Sequence, residues 1–169
     1  PKFLLLDEPF SALDAYLKEK LMQEMMTYLN QFKKGVIMVS HSRDEVYQMC
    51  SDTVIMHQGM IETLGKTKEI FDNPGTVNAA RLTGCKNISE IEILGNRKIL
   101  AKDWNIVLNT NVDVDISIKY VGVRAHDFNF DKGDNEFTAK VINTVESLFE
   151  NVYILEVAGG KKNIWLKRS

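Results

Sequence analysis

Two short apolar runs, each followed directly by polar or charged residues, constrain the fold of this chain most strongly. Residues 3–6 read Phe-Leu-Leu-Leu and residues 36–39 read Val-Ile-Met-Val, with no polar alternation in either run. Uninterrupted apolar runs of this length are typical of parallel strands that are buried on both faces. Parallel strands need a crossover connection of at least a dozen residues, and the spacing of about 30 residues leaves room for a helix.

The segment between the two runs has the periodicity of a helix. Large apolar residues recur every three or four positions over residues 15–32, and Gly35 follows as a stop signal. A second helix is predicted to begin at a capping box, in which the Ser42 side chain accepts the amide of Glu45. The apolar stripe of the first helix consists of Leu17, Leu21, Met25, Leu29 and Phe32.

The next stretch predicts a hairpin and two short helices. Residues 53–57 and 60–64 flank a turn at Gln58-Gly59, and short helices are predicted over residues 66–71 and 77–82. The sequence from Gly59 to Thr67 has some likeness to a phosphate-binding loop. However, five residues separate its glycines where such a loop has four, and the stretch follows a hairpin turn. We therefore interpret it as a hairpin that leads into a helix.

From about residue 87 the pattern changes to short strands. Residues 113–118 alternate strictly between polar and apolar, and Gly159-Gly160 predicts a turn between two later strands. Short strands at this spacing predict a small antiparallel barrel or sandwich. The sequence therefore predicts two domains, an α/β domain over residues 1–84 and an all-β domain over residues 85–169.

Composition excludes several classes of function. The formal net charge is −2, so the chain lacks the basic excess that drives binding to nucleic acid. Cys50 and Cys85 lie far apart and have no metal-ligand spacing, which favours free thiols in a reducing compartment. No apolar run approaches the ~20 residues that a membrane-spanning helix needs.

The residues that follow the two apolar runs are suited to phosphoryl chemistry. Asp7 and Glu8 follow the first run, and Ser40 and His41 follow the second. Because parallel sheets place ligand chemistry at the carboxyl ends of their strands, we expect these side chains to lie near one another. One carboxylate can hold Mg²⁺, the other can orient or deprotonate a water, and the imidazole can contact a terminal phosphate.

Three segments together give a resemblance to a known family. Residues 4–9 (Leu-Leu-Leu-Asp-Glu-Pro), 11–14 (Ser-Ala-Leu-Asp) and 39–41 (Val-Ser-His) resemble the corresponding motifs of ABC-transporter ATPases. The resemblance covers roughly residues 1–72. It implies the parallel sheet of a P-loop NTPase (RecA-like) and a requirement for ATP and Mg²⁺.

The resemblance also implies roles for individual residues. Asp7 would be the Walker B aspartate that holds magnesium, and Glu8 the general base for the attacking water. His41 would be the switch histidine that senses the γ-phosphate. Asp14 would belong to the D-loop that crosses to a partner subunit, and Ser40 would join Asp14 in contacting the nucleotide.

The second half has a looser resemblance to an accessory domain. Residues 120–127 and 145–153 look like segments of the transport-associated OB-type (TOBE) domain, an OB-like barrel found on importers. Residues 81–88 look most like the molybdate/sulfate group. As a rival, this half could be a non-catalytic regulatory module that senses an oxyanion or dimerises. Thr83, Lys86 and Asn87 would then supply the hydrogen-bond donors.

The family resemblance implies an assembly at the cytoplasmic face of the membrane. Two ATPase subunits would form a homodimer around two ATP molecules and drive transmembrane permease subunits, which a periplasmic or lipoprotein substrate-binding protein would serve. The family's phosphate loop and signature motif precede the Asp-Glu-Pro strand and do not occur in these 169 residues. We therefore expect the chain to be a fragment that by itself hydrolyses no ATP.

Overall fold

The computed structural model describes residues 2–32 and 34–169, which divide into two compact units. The first unit ends at Thr83 and the second begins at Gly84. The first is an α/β unit with a parallel strand pair, and the second contains only β-strands among its regular elements. This confirms the predicted fold class. The identities of the two units as an ATPase part and a TOBE domain stay predictions.

A parallel β-α-β crossover forms the first part of the chain. Strand β1 (Phe3–Asp7) pairs in parallel with β2 (Gly35–Val39), and helix α1 (Ala15–Gln31) connects them. In the register of this pair, Asp7 lies opposite Val39. The residues that follow the two strands therefore emerge at the same edge of the sheet, as the pattern predicted.

The prediction that both strands are buried on both faces is wrong for the described residues. Phe3 and Leu5 of β1 are 63% and 72% exposed, and Ile37 and Val39 of β2 are each 56% exposed. The intervening residues of both strands are half-buried, so exposure alternates along each strand. The described elements thus cover only one face of this two-stranded sheet.

A hairpin and three short helices complete the first unit. The hairpin turns at Gln58 and Gly59, whose φ angles of 49° and 78° are those of a type I′ turn. This confirms the interpretation of the Gly59 to Thr67 stretch as a hairpin that leads into a helix. A small core forms from Ile55, Ile70 and Ala79. The elements are α2 (Arg43–Met49), β3 (Asp52–His57), β4 (Met60–Lys66), α3 (Thr67–Asp72) and α4 (Val77–Leu82).

The predicted capping box at α2 is wrong. Ser42 is the N-cap residue, but its side chain accepts no capping hydrogen bond from the helix. The Glu45 carboxylate instead binds Lys18 and Ser40, which belong to other elements. Tertiary contacts have displaced the local hydrogen bonds that the sequence favours.

Seven strands in two open antiparallel sheets form the second unit. One sheet has the order β7-β6-β5-β8 and the other has the order β11-β10-β9. The core surrounds Trp104 and Ile164, which are 2% and 0% exposed. The described strands do not form a closed barrel. They are β5 (Asn87–Gly95), β6 (Lys98–Ala101), β7 (Ile106–Asn109), β8 (Tyr120–Val123), β9 (Lys140–Glu146), β10 (Asn151–Glu156) and β11 (Ile164–Arg168).

The alternating segment at residues 113–118 is not a strand. The Ser117 amide donates to the Asp115 carboxylate at 2.7 Å, and the Ile118 amide donates to the Asp115 carbonyl at 3.0 Å. This local turn uses the backbone groups that a strand would need, and it leaves Ile116 81% exposed. None of the helices in the described part of the chain combines the length and the hydropathy that a membrane-spanning helix requires.

Candidate functional site

Glu8 and His41 meet where the two parallel strands end. The Nδ1 atom of His41 lies 3.2 Å from Oε1 of Glu8. The His41 side chain is 71% exposed and the Glu8 side chain is 45% exposed, so both are accessible to a ligand. At this distance an Nδ1–H group can interact with the Glu8 carboxylate, which leaves Nε2 available to a second partner. The structure thus brings together the predicted general base and the predicted phosphate-sensing histidine.

The backbone of Glu8 has an unusual conformation. Its φ angle is 43°, in the left-handed region that residues with side chains rarely adopt. The Glu8 amide donates to the Val39 carbonyl at 2.8 Å, and the Glu8 carbonyl accepts from the Ser11 amide and hydroxyl at 3.2 and 3.0 Å. Such backbone strain costs about 1–3 kcal/mol and clusters at functional sites. This feature marks Glu8 independently of its sequence motif.

Asp7, the predicted magnesium ligand, lies at the carboxyl end of β1. It is the last residue of β1, it is exposed, and it directly precedes Glu8. Among the described residues, no three His, Cys, Asp or Glu side chains converge as a metal cage. Magnesium does not need such a cage, because it is usually held by one or two carboxylates, several waters and substrate phosphates. A single carboxylate at this position fits that arrangement.

Asp14 has a structural function at the start of α1. Its carboxylate accepts a hydrogen bond from the Leu17 amide at 2.9 Å, which is an N-cap. Within the described residues it makes no hydrogen bond or ion pair with Glu8 or His41. Its predicted role at a partner subunit remains a prediction.

Ser40 belongs to a network behind His41. Its hydroxyl donates a hydrogen bond to the Glu45 carboxylate and accepts one from the Ser42 amide at 3.0 Å. Glu45 is only 3% exposed and is also paired with Lys18, whose Nζ lies 2.5 Å from Oε1. To donate a hydrogen bond to a nucleotide, the Ser40 hydroxyl would first have to release the Glu45 carboxylate. Sequence reasoning missed Lys18 because no local pattern joins it to a residue 27 positions away.

The pKa of the buried Glu45 carboxyl lies below its usual value. Burial opposes ionisation and is the largest single influence, but the hydrogen bonds from Lys18 and Ser40, with the positive charge of Lys18, together outweigh it. Glu45 is therefore ionised at neutral pH. The Lys18–Glu45 contact is a true ion pair inside the first unit.

Two of the three donors predicted for an oxyanion site in the second half make hydrogen bonds within the protein. The Thr83 hydroxyl donates to the carbonyls of Ala79 and Ala80 at 2.9 and 3.2 Å. Asn87 is 1% exposed, and its amide bonds the backbone of two other strands. The Lys86 ammonium lies 4.4 Å from the centre of the Trp165 ring. Thr83 and Asn87, two of the three donors on which the oxyanion-sensing alternative was based, are thus engaged within the protein, whereas the Lys86 ammonium is exposed.

A cavity in the second unit has the wrong charge for an oxyanion. Its volume is about 780 Å³, and its ionisable lining residues are Asp127, Asp131, Lys132 and Glu136. Three carboxylates against one ammonium give a negative lining, which repels a molybdate or sulfate ion. The cavity therefore gives no support to that alternative.

Comparisons with known proteins find similarity to import ATP-binding proteins. No protein-family model matches it. It is 31% identical, over 98% of its length, to the spermidine/putrescine import ATP-binding protein PotA of Mycoplasma mycoides, of which it covers 48%. It is 32% identical, over its full length, to the molybdate/tungstate import ATP-binding protein WtpC of Pyrococcus abyssi, of which it covers 50%.

Two further comparisons cover smaller shares of the chain. The sulfate/thiosulfate import ATP-binding protein CysA of Mesostigma viride is 38% identical over 52% of the chain, which covers 25% of that protein. The solved structure of cbiO1 from Clostridium perfringens, part of the ABC transporter complex cbiONQ, is 27% identical. It matches 48% of this chain and 33% of its own, with a TM-score of 0.39, which is too low to establish a shared fold.

The identities to PotA and WtpC extend through both units, whereas the match to CysA spans about half of the chain. The chain spans about half the length of the curated relatives that match it from end to end. The chain is therefore similar, from end to end, to about half of two import ATP-binding proteins.

Proposed function

We propose that the first unit supplies the water-activating part of an ATPase that drives solute import. The observation that carries this proposal is the 3.2 Å contact between Glu8 and His41 at the paired ends of two parallel strands. The names of the end-to-end relatives support it, because each is an import ATP-binding protein.

Each residue of the site has a defined task in this proposal. Asp7 would hold a magnesium ion, which would supply positive charge against the phosphates of ATP. Glu8 orients the attacking water and accepts its proton. His41, held by Glu8 through Nδ1, presents Nε2 to the terminal phosphate. Asp14 directly precedes α1 and Ser40 directly follows β2, and Asp14 faces a second ATPase subunit.

The proposed assembly follows from the family of the relatives. Two copies of the ATP-binding subunit form a homodimer at the cytoplasmic face of a membrane and move transmembrane permease subunits. A periplasmic or lipoprotein substrate-binding protein delivers the solute to those subunits. The second unit of this chain is the TOBE domain in this proposal.

The test is ATP turnover by purified proteins. The 169-residue chain is expected to show none above buffer, because it contains no glycine-rich phosphate loop. An intact subunit that includes this chain is expected to hydrolyse ATP, and His41→Ala is expected to lower its kcat by about 100-fold or more. His57→Ala, in the exposed hairpin, is the matched control. An intact His41→Ala subunit with undiminished kcat would overturn the proposal.

Two solute classes are supported by different observations. The sequence around residues 81–88 favours molybdate or sulfate, and both WtpC and CysA carry oxyanion import in their names. PotA, which matches over 98% of the chain, is named for spermidine/putrescine import. We propose import of one of these two classes.

Measuring the uptake of labelled solutes by cells distinguishes the two solute classes. Cells that lack the gene should lose accumulation of either labelled molybdate and sulfate or labelled spermidine and putrescine, and the intact gene should restore it. Loss of neither would reject both solute classes while leaving the ATPase proposal to the turnover assay.

A further inference from the structure

We propose that Lys18 and Glu45 are positioning residues that hold His41 against Glu8. The proposal deepens the proposed function, since it concerns the same site. It also stands on geometry that can be measured without nucleotide.

Glu45 is a buried charged side chain with two partners, Lys18 and Ser40, which belong to different segments of the first unit. Its carboxylate is paired with the Lys18 ammonium of α1 at 2.5 Å and accepts a hydrogen bond from Ser40 at the end of β2. At 3% exposure the carboxylate has little access to water, so losing either partner would leave a buried charge poorly compensated. The three side chains therefore constrain one another strongly.

Both neighbours of His41 in the chain are tied to this network. The Ser40 hydroxyl, fixed by Glu45, accepts the Ser42 amide at 3.0 Å, and the Lys18 ammonium lies 3.5 Å from the Ser42 hydroxyl. The backbone of His41 is thus held between two anchored residues. Its own side chain is 71% exposed, so these anchors, together with the contact to Glu8, determine where the imidazole lies.

The network also joins His41 to the predicted D-loop residue. The Lys18 amide donates to the Asp14 carbonyl at 2.9 Å in the first turn of α1, the turn that Asp14 caps. A displacement of this turn would move the Lys18 ammonium and, through Glu45 and Ser40, the loop that carries His41. A partner bound at Asp14 would therefore influence the contact between His41 and Glu8.

The experiment measures the imidazole of His41 by NMR in the 169-residue chain at one fixed pH. Glu8→Gln is introduced into the wild-type chain and into the Lys18→Met and Glu45→Gln chains, and the shift change that it causes at the His41 ring is compared. The other two histidines, His57 and His126, are internal references. Lys66→Met breaks the exposed Lys66–Asp52 pair of the hairpin, also in the first unit, and is the matched control.

The expected result is a loss of coupling. Glu8→Gln shifts the His41 signal in the wild-type and Lys66→Met chains, and this response falls by more than half in the Lys18→Met and Glu45→Gln chains. Lys18→Arg, which keeps the charge, should restore most of it. An equal response in every chain, with circular dichroism showing intact helices, would overturn the inference.

Two further measurements keep the proposal testable and separate it from the proposed function. Should Glu45→Gln fail to fold, Ser40→Ala removes only a hydroxyl and must reduce the response as well; an unchanged response again rejects the proposal. In an intact ATP-hydrolysing subunit, Lys18→Met should lower kcat about 10- to 100-fold, with little change in the KM for ATP. Absence of turnover in the wild-type subunit would instead count against the proposed function, while the NMR result would stand.

Discussion

Asp14 and Glu45 are the residues whose structural contacts differ most from what the sequence suggests. Asp14 belongs to a motif associated with a subunit interface, yet its carboxylate caps α1. Glu45 reads as part of a capping box, yet its carboxylate is buried against Lys18 and Ser40. Both cases show that a conspicuous acidic residue can have a stabilising function that its motif does not reveal.

Removing the Asp14 cap should destabilise the first unit. Asp14→Ala loses the hydrogen bond to the Leu17 amide and should lower the free energy of unfolding by about 1 kcal/mol. Urea unfolding followed by circular dichroism at the helix band is the measurement, because the helices of the described residues all lie in the first unit. Asp14→Asn keeps a capping oxygen and should remain close to wild type. Equal losses in the two variants would contradict the capping function.

Glu45 should make the stability of the first unit depend on pH in the acid range. Because its folded pKa lies below the ordinary value of 4.5, its contribution is fully present above that value and is lost as the pH falls through the folded pKa. The difference in unfolding free energy between wild type and Glu45→Gln should therefore shrink as the pH is lowered. Urea titrations at a series of pH values measure it, and a difference that grows towards acid would be inconsistent with the depressed pKa.

At the scale of single elements, much of the fold could be predicted because local signals and tertiary packing agree. The hairpin at Gln58-Gly59 needed only a turn that tolerates positive φ, and α4 (Val77–Leu82) was predicted with its observed bounds. The prediction of a strand at residues 113–118 is wrong for the opposite reason, since Asp115 accepts hydrogen bonds from nearby amides in a turn. A pattern of alternating residues cannot reveal such competition.

The sheets of the second unit depend on one buried amide. Asn87 of β5 donates to the Val123 carbonyl at 3.1 Å and the Trp165 carbonyl at 2.8 Å, and it accepts the Trp165 amide at 2.7 Å. It therefore joins β5 to β8 and to β11. No local sequence pattern indicates this function, because the residues involved lie up to 78 positions apart.

Removing the Asn87 amide should destabilise the second unit more than removing an exposed side-chain amide. Asn87→Ala leaves buried backbone groups without partners and should cost about 2–3 kcal/mol. Tryptophan fluorescence in urea is a suitable probe, since both tryptophans of the chain lie in this unit. Asn143→Ala on the exposed strand β9 should cost less than about 0.5 kcal/mol. Similar costs for the two variants would show that Asn87 does not join the sheets.

At the scale of the whole molecule, the chain consists of an α/β unit, in which Glu8 and His41 meet, and a β unit. The carboxylates and the imidazole could be predicted from sequence because parallel strands bring their ends to one edge, and the structure places Glu8 and His41 in contact there. The network of Lys18, Ser40 and Glu45 could not, because its members are joined only by tertiary packing. The catalytic roles themselves are proposals that kinetics must test.

The most direct test is single-turnover hydrolysis of bound ATP by an intact subunit that includes this chain. Glu8→Gln keeps the size of the side chain but removes the base, so the hydrolysis rate should fall by at least about 100-fold while ATP still binds. Glu19→Gln makes the same substitution at an exposed position of α1 and is the control, and this variant should hydrolyse ATP at the wild-type rate. Hydrolysis by Glu8→Gln at the wild-type rate would contradict the assignment of Glu8 as the base.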